Sequence, residues 1–284
     1  MSRRQELERH RHNVGEIRNI MNSMKTLAYM ETRKLARFLE AQQAVVQSIE
    51  TLASDFLSTY PGLLEASERL SPVYLLLGSE RGFCGDFNQA IARQADAEID
   101  STGGPEATVI AVGGKLHPLC EPGHRKAEFI TGASVAEEIP TVLSNIAASL
   151  ASLQPANGMA LYGIFHGNGE VICQRLLPAF SNHYPEGPGY PHPPMLNLPP
   201  AQFLAELVDH HLFAALHTLL YTSLMAENHR RANHLERAVK HLDKQSDALG
   251  RTCSALRQEE IIEEIEVIML SAPSLDEFQP DSGS

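Results

Sequence analysis

VGEIRNIMNSMKTLAYMETRKL, residues 14–35, repeats its apolar side chains every seven residues. Followed outward, one seam reads Val14, Met21, Ala28, Leu35, Gln42, Ile49, Phe56, and a second reads Ile17, Met24, Glu31, Phe38, Val45, Leu52. Eleven of these thirteen positions are apolar. Between Arg4 and Tyr60 there is no proline and one glycine, Gly15, so nothing interrupts the main-chain hydrogen bonds of a helix. A coiled-coil helix over residues 1–60 is predicted. At 1.5 Å per residue it would run roughly 85 Å, whereas a compact domain of this size has a radius of gyration under about 20 Å. Such a helix is expected to protrude.

The other end of the chain reads the same way. After Pro200 no proline occurs until Pro273, and Leu235, Leu242, Leu249 and Leu256 stand seven apart, with Tyr221, Leu224 and Ala238 on the same seam. A second coiled-coil helix is predicted over residues 201–271. Beyond Leu256 the stripe moves to Ile261, Ile265 and Ile268, a shift that reads as a stutter in the supercoil. Neither stripe can stay in water, and antiparallel pairing of the two ends buries both within one chain. The charges agree: residues 1–40 carry nine basic and five acidic groups, residues 206–271 seven basic and eleven acidic.

Between the helices the pattern changes to short apolar runs separated by turn residues. Val73–Leu77, Thr108–Val112 and Met159–Phe165 read as strands, and segments near Phe87–Ile99 and Val135–Leu153 as helices. This alternation implies a small Rossmann-like α/β domain over residues 70–180. Asn168-Gly169, ahead of Val171–Leu177, is a two-residue hairpin signal, so one strand pair is expected to be antiparallel. Seven prolines and two glycines crowd Pro185–Pro200, and residues 181–200 read as a linker. Residues 272–284 are expected to be disordered. The fold class is therefore α/β: a long antiparallel coiled coil of the N- and C-terminal helices plus a small Rossmann-like domain.

Composition narrows the function. The 284 residues include 35 acidic and 23 basic groups, a net charge of -12, the wrong sign for wrapping nucleic acid. No stretch approaches the roughly 20 apolar residues of a membrane helix, and the first residues lack the apolar run of a signal peptide. Cys84, Cys120, Cys173 and Cys253 form no CxxC pair or disulfide framework. Of the thirteen histidines, the best metal candidates are His210, His211, His217, His229, His234 and His241. His210 and His217, like His234 and His241, stand seven apart, two turns along a helix, and no HExxH occurs, so the spacings do not converge on one ion. The glycines of Arg81-Gly82-Phe83-Cys84-Gly85-Asp86-Phe87-Asn88 sit between a predicted strand and helix, where a phosphate loop would lie. Their GxxG spacing lacks a phosphate-binding lysine, however, and reads as a tight turn. Cys84 beside Arg81 could be an activated thiol, but no nearby histidine serves it as base, and a packed thiol is the simpler reading. No cofactor is expected.

Three segments carry a resemblance to the gamma subunit of the F-type ATP synthase. Ile20-Met21-Asn22-Ser23-Met24-Lys25-Thr26-Leu27-Ala28 resembles the family's ITKAMKMVA. Ser79-Glu80-Arg81-Gly82-Phe83-Cys84-Gly85-Asp86-Phe87-Asn88 resembles its SDRGLCGGFN. Ser223–Asn228 resembles SLxSEN, and the run from Arg257-Gln258 to Ile268 resembles RQxxITxELxEIV. The order and layout cover nearly the whole chain.

The resemblance implies a non-catalytic rotor shaft that couples ion flow through a membrane ring to ATP synthesis or hydrolysis. The coiled coil would enter a ring of alternating alpha and beta subunits. The α/β foot would sit with the epsilon subunit above the membrane c ring, on the cytoplasmic face of the inner membrane. By matching positions, Arg257 and Gln258 would bond a beta-subunit loop, Met24 and Lys25 would face the beta subunit's lever, and Glu80, Arg81, Asp86 and Asn88 would serve the foot's contacts. Met24 also falls on the heptad, so seam packing is the other reading of that residue.

The chain departs from the family pattern at Glu31, Gly250, Asp86, Ser254, Glu259, Glu260 and Ile262. Carboxylates would then lie where the helix threads an apolar sleeve, and burying unpaired charge is costly. An alternative F-type ATPase whose ring carries compensating basic residues is expected. The rival reading is a non-rotary coiled-coil adaptor.

Overall fold

A computed structural model of the chain describes residues 3–64, 70–103, 107–120, 126–153, 158–167, 169–180 and 194–271. The elements are α1 (Arg3–Thr59), β1 (Ser71–Leu77), α2 (Phe87–Glu98), β2 (Thr108–Val112), α3 (His117–Cys120), β3 (Lys126–Ile130), α4 (Ile139–Leu153), β4 (Met159–Gly167), β5 (Glu170–Leu177) and α5 (Pro200–Ser271). Most of the linker expected at 181–200, the turn residue Asn168 and the tail at 272–284 lie outside the described residues. The chain divides into two compact units, Lys25–His234, and Met1–Met24 with Leu235–Ser284.

In the larger unit the sheet order is β3-β2-β1-β4-β5. Strands β1 to β4 are parallel, and β5 returns antiparallel on β4, as the hairpin signal requires. The run Val73-Tyr74-Leu75-Leu76-Leu77 is at most 2% exposed on both faces, the pattern of a central parallel strand. Val73, Leu75 and Leu77 face a core shared with α4, with Leu35 and Leu39 of α1, and with Leu216, Leu219, Leu220 and Leu224 of α5. Tyr74 and Leu76 face Phe87, Ile91 and Ala95 of α2, which the helical repeat places on one side of that helix. Gly163 of β4 lets α5 close on the sheet, because a Cβ there would stand 2.5 Å from Leu219 Cδ2.

The sequence reading missed β3 and α3, since Lys126-Ala127-Glu128-Phe129-Ile130 has too little apolar contrast to stand out. The helix expected near Phe87–Ile99 ends at Glu98 and widens into a π turn over Ile99–Gly103. The one expected near Val135–Leu153 opens as a 3-10 turn, Ala136–Glu138.

Within each unit α1 and α5 run antiparallel. In the larger one Phe38 stacks on Tyr221 with centroids 5.6 Å apart, and Phe56 meets Phe203 at 4.8 Å. In the smaller one Arg18 Nε donates to Asp243 Oδ1 at 2.9 Å, a Cβ on Gly250 would lie 3.4 Å from Arg11 Cζ, and Arg4 pairs with Glu260 at 2.8 Å. Seven residues along one helix are matched by seven back along the other between the first two of these.

One seam was read correctly and its mate was not. Val14, Ala28, Leu35 and Phe56 are buried. Ile17, Phe38, Val45 and Leu52 are 43–47% exposed, while the side chains four positions after the first seam, Leu39 and Ala53 among them, turn inward. Thr32 therefore takes the place expected for Glu31, whose carboxylate turns instead to the main-chain amide of Ala136. A second correction concerns the end of α5. Every residue from Ile261 to Leu270 is exposed, with Ile261 at 45% and Leu270 at 87%. The stripe there is no stutter in a seam: Arg4 already meets Glu260, and α1 has no described residue to set against the last turns of α5.

Candidate functional site

Strand β1 delivers the Ser79–Asn88 loop to its carboxyl end, and the side chains that resembled a partner surface divide into two groups. Glu80 and Asn88 are used inside the fold. Glu80 Oε2 accepts from the main-chain amides of Gly114 and Gly132, each at 2.8 Å, tying the loops after β2 and β3 together. Asn88 Oδ1 accepts from the Ser79 amide and its Nδ2 donates to Ser79 Oγ, both at 2.9 Å. Arg81 and Asp86 are exposed. Phe83 is 46% exposed and holds a left-handed φ of 65°, a backbone state that costs a non-glycine residue about 1–3 kcal/mol. Beside it lies an open cleft of about 500 Å³ walled by Arg81, Phe83, Lys115, Leu119 and His234.

The helix α5 grips this loop. Ser223 Oγ donates to the Leu77 carbonyl at 3.2 Å. Arg230 bonds Asp86 Oδ1 at 2.9 Å and the Gly169 carbonyl at 3.3 Å, with its guanidinium over the Phe87 ring. Arg231 donates to the Gly82 carbonyl at 3.1 Å and to Asn228 Oδ1 at 2.9 Å. It also pairs with Glu227. Glu227 and Arg231 are 2% and 5% exposed. Burial pushes the Glu227 carboxyl upward, opposed by Arg231 and by the main-chain amides of Arg81 and Glu80. Arg230 and Arg231 were not singled out from the sequence. The signal was an acid and a base four residues apart on a helix otherwise read for its apolar seam.

Cys84 is buried within this grip. Its burial, with Glu227 close by, raises the thiol to about 11, so it is not an activated nucleophile. Among the described residues no three His, Cys, Asp or Glu side chains gather as a metal site, and none of the helices is long and apolar enough to cross a membrane.

In the smaller unit Arg257 and Gln258 are exposed on α5, where that helix passes the start of α1. Met24 is half-buried there, and Lys25, the first residue of the larger unit, is half-buried as well.

A family model described as ATP synthase matches residues 3–275. A protein of Clostridium botulinum strain Langeland named ATP synthase gamma chain is 23% identical over 265 residues, 90% of this chain and 92% of the relative. Among solved structures, a chain of the central stalk and c ring of the Tetrahymena thermophila mitochondrial ATP synthase is similar with a TM-score of 0.57 and 20% identity, covering 77% of this chain and 99% of that one. A chain of the Euglena gracilis mitochondrial ATP synthase rotor gives 0.58 and 14%, covering 91% and 98%.

Proposed function

The chain belongs to the ATP synthase gamma family, and on that premise we propose that it is the central rotor shaft of an F-type ATP synthase. It couples ion flow through the membrane ring to synthesis or hydrolysis of ATP in the catalytic ring. It is a non-catalytic subunit of the complex, as the match to the gamma family supports. A static adaptor is not favoured, because the match spans both terminal helices and the α/β domain together.

The observation that carries this reading is the exposed end of α5. Ile261, Ile262, Ile265, Val267, Ile268, Met269 and Leu270 are all exposed on a helix that has outrun α1. An apolar surface of that size calls for an enclosing partner. The proposed sleeve is the ring of alpha and beta subunits, with Arg257 and Gln258 bonding a beta-subunit loop at its mouth and Met24 and Lys25 facing the beta lever. At the foot, Arg81 and Asp86 are proposed to contact the epsilon subunit and the c ring, with Glu80 and Asn88 holding their loop in shape. The complex would lie on the cytoplasmic face of the inner membrane. Because Glu259, Glu260, Glu263, Glu264 and Glu266 are interleaved with the apolar side chains, the sleeve is proposed to carry basic residues.

Purification of the assembly tests the reading. The shaft should be present once for every three alpha and three beta subunits and be required for coupled ATPase activity. A chain that purifies with neither of them would overturn it.

A further inference from the structure

Two strand ends meet α5 at one side chain. Strands β1 and β4 are neighbours in the sheet, and the Ser79–Asn88 loop follows the first while the turn at Gly169 follows the second. Arg230 reaches both. Its Nη1 donates to Asp86 Oδ1 at 2.9 Å and its Nη2 to the Gly169 carbonyl at 3.3 Å, and its guanidinium carbon stands 5.8 Å from the centre of the Phe87 ring. That ring is itself fixed, for it is fully buried and lies against the His166 imidazole of β4 with centroids 4.0 Å apart. One planar fork thus joins the ends of β1 and β4 and rests on a buried ring.

The apolar side of α5 does not supply what this contact does. Leu216, Leu219, Leu220 and Leu224 hold the helix on the sheet by buried area, which is non-directional and leaves a helix free to roll about its own axis. Hydrogen bonds are directional, and a guanidinium fork with an acceptor on each of two strand ends opposes a roll in either sense. Ser223, seven residues and about 10 Å earlier on the same face, adds a bond to the Leu77 carbonyl at 3.2 Å. We propose that Arg230 is the positioning residue that stops α5 from rolling on the sheet, so that torque carried by this helix reaches the α/β domain. The torque half of the statement rests on the shaft reading. Asp86 stands where the family stretch SDRGLCGGFN has glycine, so the carboxylate acceptor is this chain's own. The Arg230 and Asp86 side chains are 30% and 69% exposed, and an ion pair so open to water adds little to stability. Its loss should be felt in coupling and hardly in folding.

Arg230→Met tests the proposal at three levels. The unfolding midpoint of the full chain should fall by no more than about 2 °C. A fall of more than about 4 °C, or failure to fold, makes Arg230 a stability residue and overturns the proposal. Spin labels at positions 93 on α2 and 233 on α5, in a chain with Cys120 and Cys173 changed to serine, should give one narrow distance peak that Arg230→Met broadens about twofold. An unchanged width overturns the pin. Arg230→Lys, whose ammonium does not span both acceptors, should broaden the peak as well, and a narrow peak there overturns the two-acceptor bridge. In the reconstituted complex the ions moved per ATP hydrolysed should fall about twofold in Arg230→Met. Adding Asp86→Ala should lower that ratio no further, because both changes break one contact. A ratio that stays at the wild-type value while the distances broaden overturns the torque role and keeps the pin. Failure of the wild-type chain to assemble with the ring subunits overturns the shaft reading alone.

Discussion

The Glu31 carboxylate, on α1, accepts a hydrogen bond from the main-chain amide of Ala136 at 2.7 Å, at the start of the 3-10 turn that leads into α4. Lys34, one turn further along α1, pairs with Glu137 of the same turn. A side chain that looked like a charge misplaced in a coiled-coil seam is therefore a helix cap supplied from a different element. Glu31→Ala is expected to lower the stability of the chain by about 1–2 kcal/mol, the usual worth of a cap. Glu31→Gln, which keeps the acceptor, should lose less than half of that. Urea denaturation of the isolated chain reads the difference, and equal losses for the two variants would show that the amide does not need the oxygen.

Arg257 and Gln258 are exposed, so truncating both should change stability by no more than about 0.5 kcal/mol. In the assembled complex the same double alanine variant is expected to impair coupled ATP synthesis markedly. Synthesis at the wild-type rate would rule these contacts out as functional.

Glu263 and Glu264 face solvent in the isolated chain. Changing both to glutamine should leave its denaturation curve in place. If basic residues line the sleeve, the change should weaken assembly with the ring subunits in a salt-dependent way. Tighter assembly would mean that the sleeve is apolar and that these carboxylates are a burden to it.

Burial raises the thiols of both Cys84 and Cys173 to about 11, leaving about one thiolate in a thousand at pH 8. Native labelling with iodoacetamide, followed by mass spectrometry, should leave Cys84 unmodified while the half-buried Cys120 reacts first. No thiol control of rotation is expected. An ATPase rate that changes with reductant, and stops changing once a cysteine is replaced, would refute this.

His166 is 1% exposed, with Nε2 held 2.9 Å from the Phe87 carbonyl, so the neutral ring keeps its proton there and donates. Burial holds its pKa below the ordinary 6.5, with Arg230 acting in the same direction and Asp86 against. The unfolded chain accepts a proton that the folded one refuses, so stability present at pH 7.5 should be lost as pH falls through about 6.5. His166→Gln should flatten that slope between about pH 7 and 5. His217, also depressed by burial, should leave a residual slope. Denaturation curves at several pH values check both statements.

Much of this was legible before folding. The seven-residue recurrence from Val14 to Phe56 and from Leu235 to Leu256 specified two helices and one correct seam, because apolar periodicity is a local property of a chain. The strands at Val73, Thr108 and Met159 and the hairpin at Gly169 were legible for the same reason. The second seam was ambiguous. Stripes three and four residues from the first are both partly apolar, and only the position of α5 chooses between them. Arg18 sits on the inward stripe and would have argued against it, yet Asp243, 225 residues away, satisfies its charge.

What tertiary structure alone decided is where the charged groups go. Glu31 finds an amide on the turn into α4 and Glu80 two amides from separate loops. In each case the donors are main-chain groups, which carry no sequence signature. A carboxylate turned away from water is tolerable only where such donors meet it, and whether they do depends on how distant elements pack.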